Sequence, residues 1–209
     1  MYLLSFFLCT AIGTPACRSL LKKAHFALLL AICLPQRSIS GKRNLSHVHH
    51  LELRDINTTV TSLSELGSML PNLKQLKLRS CVLESFRDFG TQLQNLKVLW
   101  IPRCGINELD GITGLGGLEE LYISFNDISD LAPLALHENL QILDLESNNV
   151  EDLGQIEQLG TCPRLHSLTL EANPIARLKH YRRVICSQIP HLKSLDDRRI
   201  NKAERKKVH

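Results

Sequence analysis

Aromatic side chains are scarce in this sequence, which has one tryptophan, three tyrosines and six phenylalanines among its 209 residues. Hydrophobic residues nevertheless make up 44% of the chain, so a buried core must consist mainly of aliphatic side chains, above all leucine. This composition fits one globular or repeat domain. The net charge of +4 is mild, and the excess is concentrated from Arg177 onward, which argues against a nucleic-acid surface on the rest of the chain.

Long hydrophobic runs are also missing. Two apolar runs, at 2–13 and 24–34, are both shorter than the roughly 20 residues that a transmembrane helix needs, so we expect no membrane association. The first run resembles the apolar part of a signal peptide, and the sequons at Asn44 and Asn57 would fit secretion, which is the alternative. We interpret residues 1–44 as an apolar and basic N-terminal segment that is poorly ordered or an atypical start.

Cysteine patterns of metal sites and disulfide frameworks are absent. The seven cysteines are odd in number and form no CxxC or Cys/His finger spacing, which argues against both. We therefore predict reduced thiols and a cytoplasmic protein. The histidines at His47, His49 and His50 have no cysteine or carboxylate partner at ligand spacing, so we interpret them as a solvated edge. No metal and no cofactor are expected.

Catalytic motifs are missing as well. The sequence has no nucleophile elbow, no HExxH and no Walker motif, so we predict no catalytic residues and no enzyme activity. The glycine-rich stretch GITGLGG at 111–117 lacks the strand, lysine and helix that a phosphate-binding loop requires. It indicates a tightly packed turn.

An internal repeat accounts for most of the chain. The template LxxLxLxxNxI matches five segments in register, and a weaker sixth copy begins at Val48. The copies start at residues 48, 73, 96, 118, 140 and 165, so successive starts lie 25, 23, 22, 22 and 25 residues apart. These spacings fall within the roughly 20–29 residues of leucine-rich repeats. The pattern predicts an α/β fold: a right-handed leucine-rich-repeat solenoid with a parallel concave sheet, short helical or 3-10 convex turns, and a C-terminal helical cap.

The asparagine of the template has a specific structural role. In stacked repeats its side chain satisfies backbone groups of the neighbouring loop, and the two leucines of each LxL pair point inward. Asn126, Asn148 and Asn173 occupy the asparagine position, while Cys81 and Cys104 replace it. We expect the two thiols to be small, buried, weak donors rather than redox or metal groups.

The last repeat needs a cap, because a terminal repeat otherwise exposes its apolar side. Between residues 175 and 189 the apolar side chains have helical spacing, and Pro190 stops the helix. We predict about six repeats over 45–175, a cap over 176–200 and a basic tail over 201–209.

The concave strands are the expected binding surface, since side chains between the buried leucines point away from the core. Trp100 and Tyr122, on adjacent strands, are the expected centre, because exposed aromatic side chains are typical of binding hot spots. The alternative is that they only stack on each other and cover the sheet. Basic side chains lie toward the N-terminal repeats and acidic ones toward the C-terminal repeats, which would orient a partner of opposite polarity. The predicted partner-binding residues are Lys77, Arg79, Trp100, Arg103, Tyr122, Asp144 and Glu146.

The segment from Asn173 to Asp197 ends in an NPI, YR, IP and LDD pattern. It resembles the intracellular leucine-rich-repeat proteins that include phosphatase regulators, a spliceosomal subunit and axonemal dynein factors. The stretch from Leu70 to Asp197, with LKVLWIPRCGINELDGI and LDLESNNVEDLGQI, is similar to the leucine-rich repeat-containing protein 56 family. That resemblance implies a role in assembly or intraflagellar transport of outer dynein arms, in the cytoplasm and in cilia or flagella.

The resemblance also implies protein partners, namely intraflagellar-transport or dynein-arm components, and we expect a monomer that binds neither nucleic acid nor membrane. Two alternatives use the same repeat surface: regulation of a phosphatase, or a scaffold in an RNA-protein complex.

The chain ends soon after the cap, whereas the leucine-rich repeat-containing protein 56 family continues into a long polar region.

Overall fold

The computed structural model describes residues 45–205. The predicted N-terminal segment 1–44, with its signal-peptide alternative and the sequon at Asn44, lies outside the described residues, as do the last four residues of the predicted basic tail. Within 45–205, no helix is both long enough and apolar enough to cross a membrane.

One eight-stranded sheet runs through the described part of the chain, with the strands side by side in sequence order. The first seven strands are parallel, and only the last pair is antiparallel. Parallel strands in sequence order, each joined by a crossover of 20 residues or so, form the solenoid that the repeat spacing predicts, so the predicted fold class is confirmed. The strands are β1 (His50–Arg54), β2 (Gln75–Arg79), β3 (Val98–Trp100), β4 (Glu120–Tyr122), β5 (Ile142–Asp144), β6 (Ser167–Thr169), β7 (Ser194–Leu195) and β8 (Arg198–Arg199).

Short helices connect the strands on the convex side. Within residues 45–205 the α-helices are α1 (Leu66–Met69), α2 (Leu153–Gly160) and α3 (Tyr181–Gln188). Local capping fixes the start of α2. The Asp152 carboxylate accepts a hydrogen bond from the Gly154 N–H, as expected of an N-cap. The 3-10 helices are Leu45–His47, Phe86–Phe89, Ile112–Leu115, Ala132–Leu136 and Pro174–Arg177.

The glycine-rich stretch at 111–117 is a tight turn, as predicted. Gly111 has φ 84° in the left-handed region, and a Cβ there would lie 2.7 Å from the Arg87 backbone nitrogen. The turn therefore needs glycine both for its backbone angle and for the close approach of the preceding repeat.

A single aliphatic core fills the space between the sheet and the convex helices. Each repeat contributes the two inward leucines or isoleucines of its strand, and full burial of one such side chain stabilises the fold by about 1.5–3 kcal/mol. Phe86 and Phe89 are the large aromatic exceptions, fully buried with ring centroids 6.1 Å apart. The first inward residues of the strands pair in one continuous register: Leu51, Leu76, Leu99, Leu121, Leu143, Leu168 and Leu195.

The asparagines form the predicted ladder. Asn148 Oδ1 accepts a hydrogen bond from the Ile128 N–H at 3.0 Å, while Nδ2 donates to the carbonyl oxygens of Ile123 and Leu145. Asn126 and Asn173 are buried and bridge adjacent repeats in the same way. Each side-chain amide thus forms hydrogen bonds with backbone groups that have no hydrogen-bond partner within a strand or a helix.

The two cysteines on this ladder are buried thiols, as expected. Cys81 Sγ donates to the Arg79 carbonyl oxygen at 3.2 Å, and Cys104 Sγ donates to that of Pro102 at 3.5 Å. Burial raises the pKa of Cys104 to about 11, so the thiol stays protonated and keeps its donor at neutral pH.

The cap differs from the sequence expectation at its start. The apolar spacing from Ile175 predicts one helix to Pro190, but the backbone leaves the helical region at Leu178, and His180 is left-handed with φ 60°. Leu178 is 40% exposed, so it does not join the buried face. α3 begins at Tyr181 and ends before Ile189, as the proline predicts.

His137 is a buried polar residue from which we predict a pH-dependent stability. It is 1% exposed, Nε2 donates to the Ile112 carbonyl oxygen, and Nδ1 has no partner. Desolvation lowers the pKa of His137 below its ordinary 6.5, so the unfolded chain binds this proton more readily than the folded chain. The free energy of unfolding should therefore decrease as the pH falls below about 6.5.

We expect His137→Gln to flatten this dependence, even if it lowers stability at neutral pH. The measurement is urea unfolding at about pH 7.5, 6.5 and 5.5. The matched control is His50→Gln, which removes an exposed imidazole. An unchanged slope in His137→Gln would show that another group controls the acid response.

Candidate functional site

The concave face is built from the side chains that alternate with the buried leucines. Strand register aligns one such side chain from each repeat into a central row. Lys77 pairs with Trp100, Trp100 with Tyr122, and Tyr122 with Asp144. The central row is Glu52, Lys77, Trp100, Tyr122, Asp144 and Thr169.

Two aromatic rings lie at the middle of this row. Trp100 and Tyr122 stack with ring centroids 5.1 Å apart and an interplanar angle of 10°, and both side chains are half-buried. The Lys77 ammonium lies 5.7 Å from the Trp100 ring centroid, and the Tyr122 hydroxyl donates to Glu120 at 2.9 Å. The rings thus form a stacked, partly exposed platform, which we call the aromatic stack.

Apolar residues extend the platform on one side. Val98 and Ile142 flank Glu120 in the register row next to the central row; Val98 is buried and Ile142 is half-buried. Burial raises the pKa of Tyr122 to about 12, with further contributions from Glu120 and nearby carboxylates, so its phenol stays neutral. The centre of the concave face therefore combines apolar side chains and a neutral phenol with the carboxylate of Glu120.

Ion pairs reduce the basic character expected at the N-terminal end. The Glu52 carboxylate lies 3.0 Å from Arg79 and 2.8 Å from Arg54. Hydrogen bonding from Arg54, together with the positive charges of Arg79 and Lys77, lowers the pKa of Glu52. Of the predicted basic site residues, Arg79 is thus partly neutralised, whereas Lys77 directs its charge at Trp100.

Carboxylates gather at the other end, as the sequence predicts, but with one additional member. Burial raises the pKa of Glu146, and the negative charges of Asp144, Glu171 and Asp197 raise it further. Asp197 belongs to the cap, 26 residues beyond Glu171 in the chain. We call Asp144, Glu146, Glu171 and Asp197 the acidic end.

Arg103 lies on the rim rather than in a strand. Its guanidinium covers the Phe125 ring at 4.3 Å, and the ring remains 39% exposed. Both residues have a left-handed backbone, with φ 55° and 57°, an uncommon conformation for side chains other than Gly, Asn and Asp. The same conformation recurs once per repeat, at Asp55, Ser80, Arg103, Phe125, Ser147 and Ala172.

Five of the seven predicted residues therefore lie together along the concave face: Lys77, Trp100, Tyr122, Asp144 and Glu146. Of the other two, Arg79 contacts Glu52 and Arg103 contacts Phe125. Sequence reasoning missed Phe125 and Asp197. The spacing of Phe125 from Arg103, 22 residues, equals the repeat length and was an available signal. The binding role of all seven stays a prediction.

Potential metal ligands and thiols are the other chemically relevant side chains of residues 45–205. Within that range no group of three or more His, Cys, Asp or Glu side chains could hold a metal ion. Burial raises the pKa of Cys104 and Cys162 to about 11, which keeps these thiols unreactive at neutral pH. The exposed concave face is thus the feature with the clearest capacity for interaction.

Sequence comparison agrees with the repeat architecture. The profile described as Leucine-rich repeat matches residues 86–209, more than half of the chain. Among solved structures, internalin C2 of Listeria monocytogenes superposes with a TM-score of 0.55 over 76% of this chain and 65% of that chain, at 24% identity. This likeness concerns the fold alone.

Longer relatives share the repeat region. The chain is similar to human leucine-rich repeat-containing protein 56, with 49% identity over 68% of this chain and 28% of the human protein. It is also similar to the leucine-rich repeat-containing protein 56 homolog of Trypanosoma brucei brucei, with 31% identity over 68% of this chain and 22% of the trypanosome protein. The chain thus spans less than a third of the length of these relatives.

Proposed function

Because the chain belongs to the leucine-rich-repeat family, whose members typically act as protein-interaction scaffolds, we propose that it is a non-enzymatic adaptor that holds a protein partner on its concave face. The aromatic stack carries the proposal. Trp100 and Tyr122 are fixed against each other, so they lose little conformational entropy on binding, and their half-buried rings still present apolar area.

The cellular role that we propose is assembly or intraflagellar transport of outer dynein arms, with the protein in the cytoplasm and in cilia or flagella. The support is similarity to leucine-rich repeat-containing protein 56 and the ciliary role that this resemblance implies. The partners would be intraflagellar-transport or dynein-arm components, bound by a monomer.

We expect the Trp100→Ala, Tyr122→Ala double variant to lose partner binding. Removal of two central aromatic side chains typically costs at least about 2 kcal/mol, or more than about tenfold in affinity. The measurement is proximity labelling in ciliated cells, with native and variant chains expressed at equal levels. Dynein-arm or intraflagellar-transport proteins should be enriched by the native chain only.

The matched control is Val60→Ala, which shortens an apolar side chain that is 56% exposed and lies outside the strands. It should leave labelling unchanged. Enrichment of a phosphatase or of splicing factors by the native chain would contradict the ciliary role, and full retention of every partner by the double variant would contradict the concave site.

A further inference from the structure

The acidic end lacks the ion pairs that several other carboxylates of residues 45–205 form. Asp110 is paired with Arg87, and Glu119 with Lys97. Among residues 45–205, no lysine, arginine or histidine forms an ion pair with a member of the acidic end. The positive charge of Arg103 acts favourably on Glu146 without forming an ion pair with it.

The other three carboxylates disfavour the ionised form of Glu146. The pKa of Glu146 is raised first by burial and then by Asp144, Glu171 and Asp197. Like charges at short distance disfavour the ionised forms. A cationic side chain placed over the acidic end would therefore be attracted to it and would relieve this repulsion.

The acidic end is continuous with the aromatic stack. Asp144 pairs in register with Tyr122 on one side and with Thr169 on the other. Half-buried Ile142 lies two residues before Asp144 on the same face of β5. One partner segment can therefore contact the apolar platform and the carboxylates together, whereas Lys77 marks the opposite end of the stack.

We propose that the partner contacts this face through a protein segment that places a large apolar side chain on the aromatic stack and lysine or arginine side chains over the acidic end. The inference rests on the proposed function and specifies its partner class. Charge complementarity selects a basic protein segment over nucleic acid, because phosphates would be repelled by the same carboxylates. It also fixes the direction in which the segment lies across the strands.

The test introduces the photo-crosslinker p-benzoylphenylalanine at Thr169, which is half-buried and adjacent to Asp144 in the sheet. The full chain is expressed in ciliated cells, irradiated, and the crosslinked peptide is identified by mass spectrometry. We expect a protein segment that contains lysine or arginine beside a large apolar residue.

Charge neutralisation then tests the contribution of the acidic end. The variant Asp144→Asn, Glu146→Gln, Glu171→Gln, Asp197→Asn should lower the crosslink yield about tenfold, because it removes the charges that attract the basic segment. The variant should still fold, because asparagine retains the acceptor of Asp144 for the Glu146 N–H and tolerates the left-handed backbone of Asp197. The matched control neutralises four exposed carboxylates outside the strands and should keep the yield: Glu108→Gln, Glu138→Gln, Glu151→Gln and Glu157→Gln.

If the neutralised variant does not fold, a synthetic peptide of the crosslinked segment is titrated against the native chain at rising salt, and its affinity should fall about tenfold between low and high ionic strength. An acidic or uncharged segment, or binding insensitive to both charge and salt, overturns this inference and leaves the proposed function standing. Crosslinking to RNA, or no crosslinked protein together with an unaffected aromatic double variant, overturns both.

Discussion

Asn148→Ala is expected to destabilise the folded chain by about 3 kcal/mol, a large share of the total stability of a typical domain. The substitution leaves the Ile128 N–H without its buried acceptor. It also removes one hydrogen bond each from the carbonyl oxygens of Ile123 and Leu145, which keep the amides of Asn126 and Asn173 as donors. The unsatisfied buried N–H costs about 1–3 kcal/mol, and each of the two other lost hydrogen bonds costs about 0.5–1.5 kcal/mol, partly offset by local relaxation. Urea unfolding followed by circular dichroism measures the loss.

Two further variants separate the ladder from simple loss of volume. Asn148→Cys should cost less than Asn148→Ala, because Cys81 and Cys104 show that a buried thiol at this position still donates to a carbonyl. Asn149→Ala removes an exposed neighbouring amide and should change stability little. Equal losses in Asn148→Ala and Asn148→Cys would contradict a hydrogen-bonded role for the ladder.

Arg182→Ala is expected to detach the cap and to lower the free energy of unfolding by about 3 kcal/mol, as when one partner of a part-buried ion pair is removed. Its guanidinium is 19% exposed, lies 2.5 Å from Glu204, and donates to the carbonyl oxygen of Leu195 at 2.7 Å and to that of Arg198. One side chain thus joins α3, the β7–β8 hairpin and the segment after it. Hydrogen exchange of the cap amides, together with urea unfolding, measures the effect.

The same group predicts an acid response. Hydrogen bonding from Arg182 lowers the pKa of Glu204 below its ordinary 4.5, so this contact stabilises the fold above that pH and is lost as the pH falls through the lowered value. Arg182→Ala should remove this contribution. Arg199→Ala, which removes an exposed guanidinium from β8, is the control; equal destabilisation by both would show that net charge, and not the contact, matters.

The repeat architecture was readable from the sequence because each of its features recurs at a fixed spacing. The inward leucines, the asparagines of the ladder and the two substituting cysteines all lie where the template predicts, since an inward position in a stacked repeat admits few residue types. The aromatic stack could also be anticipated, because Trp100 and Tyr122 occupy the same template position in consecutive copies.

The cap's start was misjudged for a related reason. Helical spacing from Ile175 to Ile189 is necessary for one continuous helix, but it does not exclude a break. The backbone turns at Leu178 and His180 because the chain must leave the last repeat and cross its open end before α3 can pack against α2.

The sequence by itself determined the repeat, its inward residues and the row of side chains that the concave face presents, because local periodicity decides which side of a strand each residue occupies. Only the tertiary structure decided which charges meet. Glu52 neutralises Arg79 from one repeat away, Asp197 of the cap joins Glu146 and Glu171, and Arg103 covers Phe125 of the next repeat. These contacts depend on how the repeats stack and where the cap folds back, and such distances in space have no counterpart in spacing along the chain.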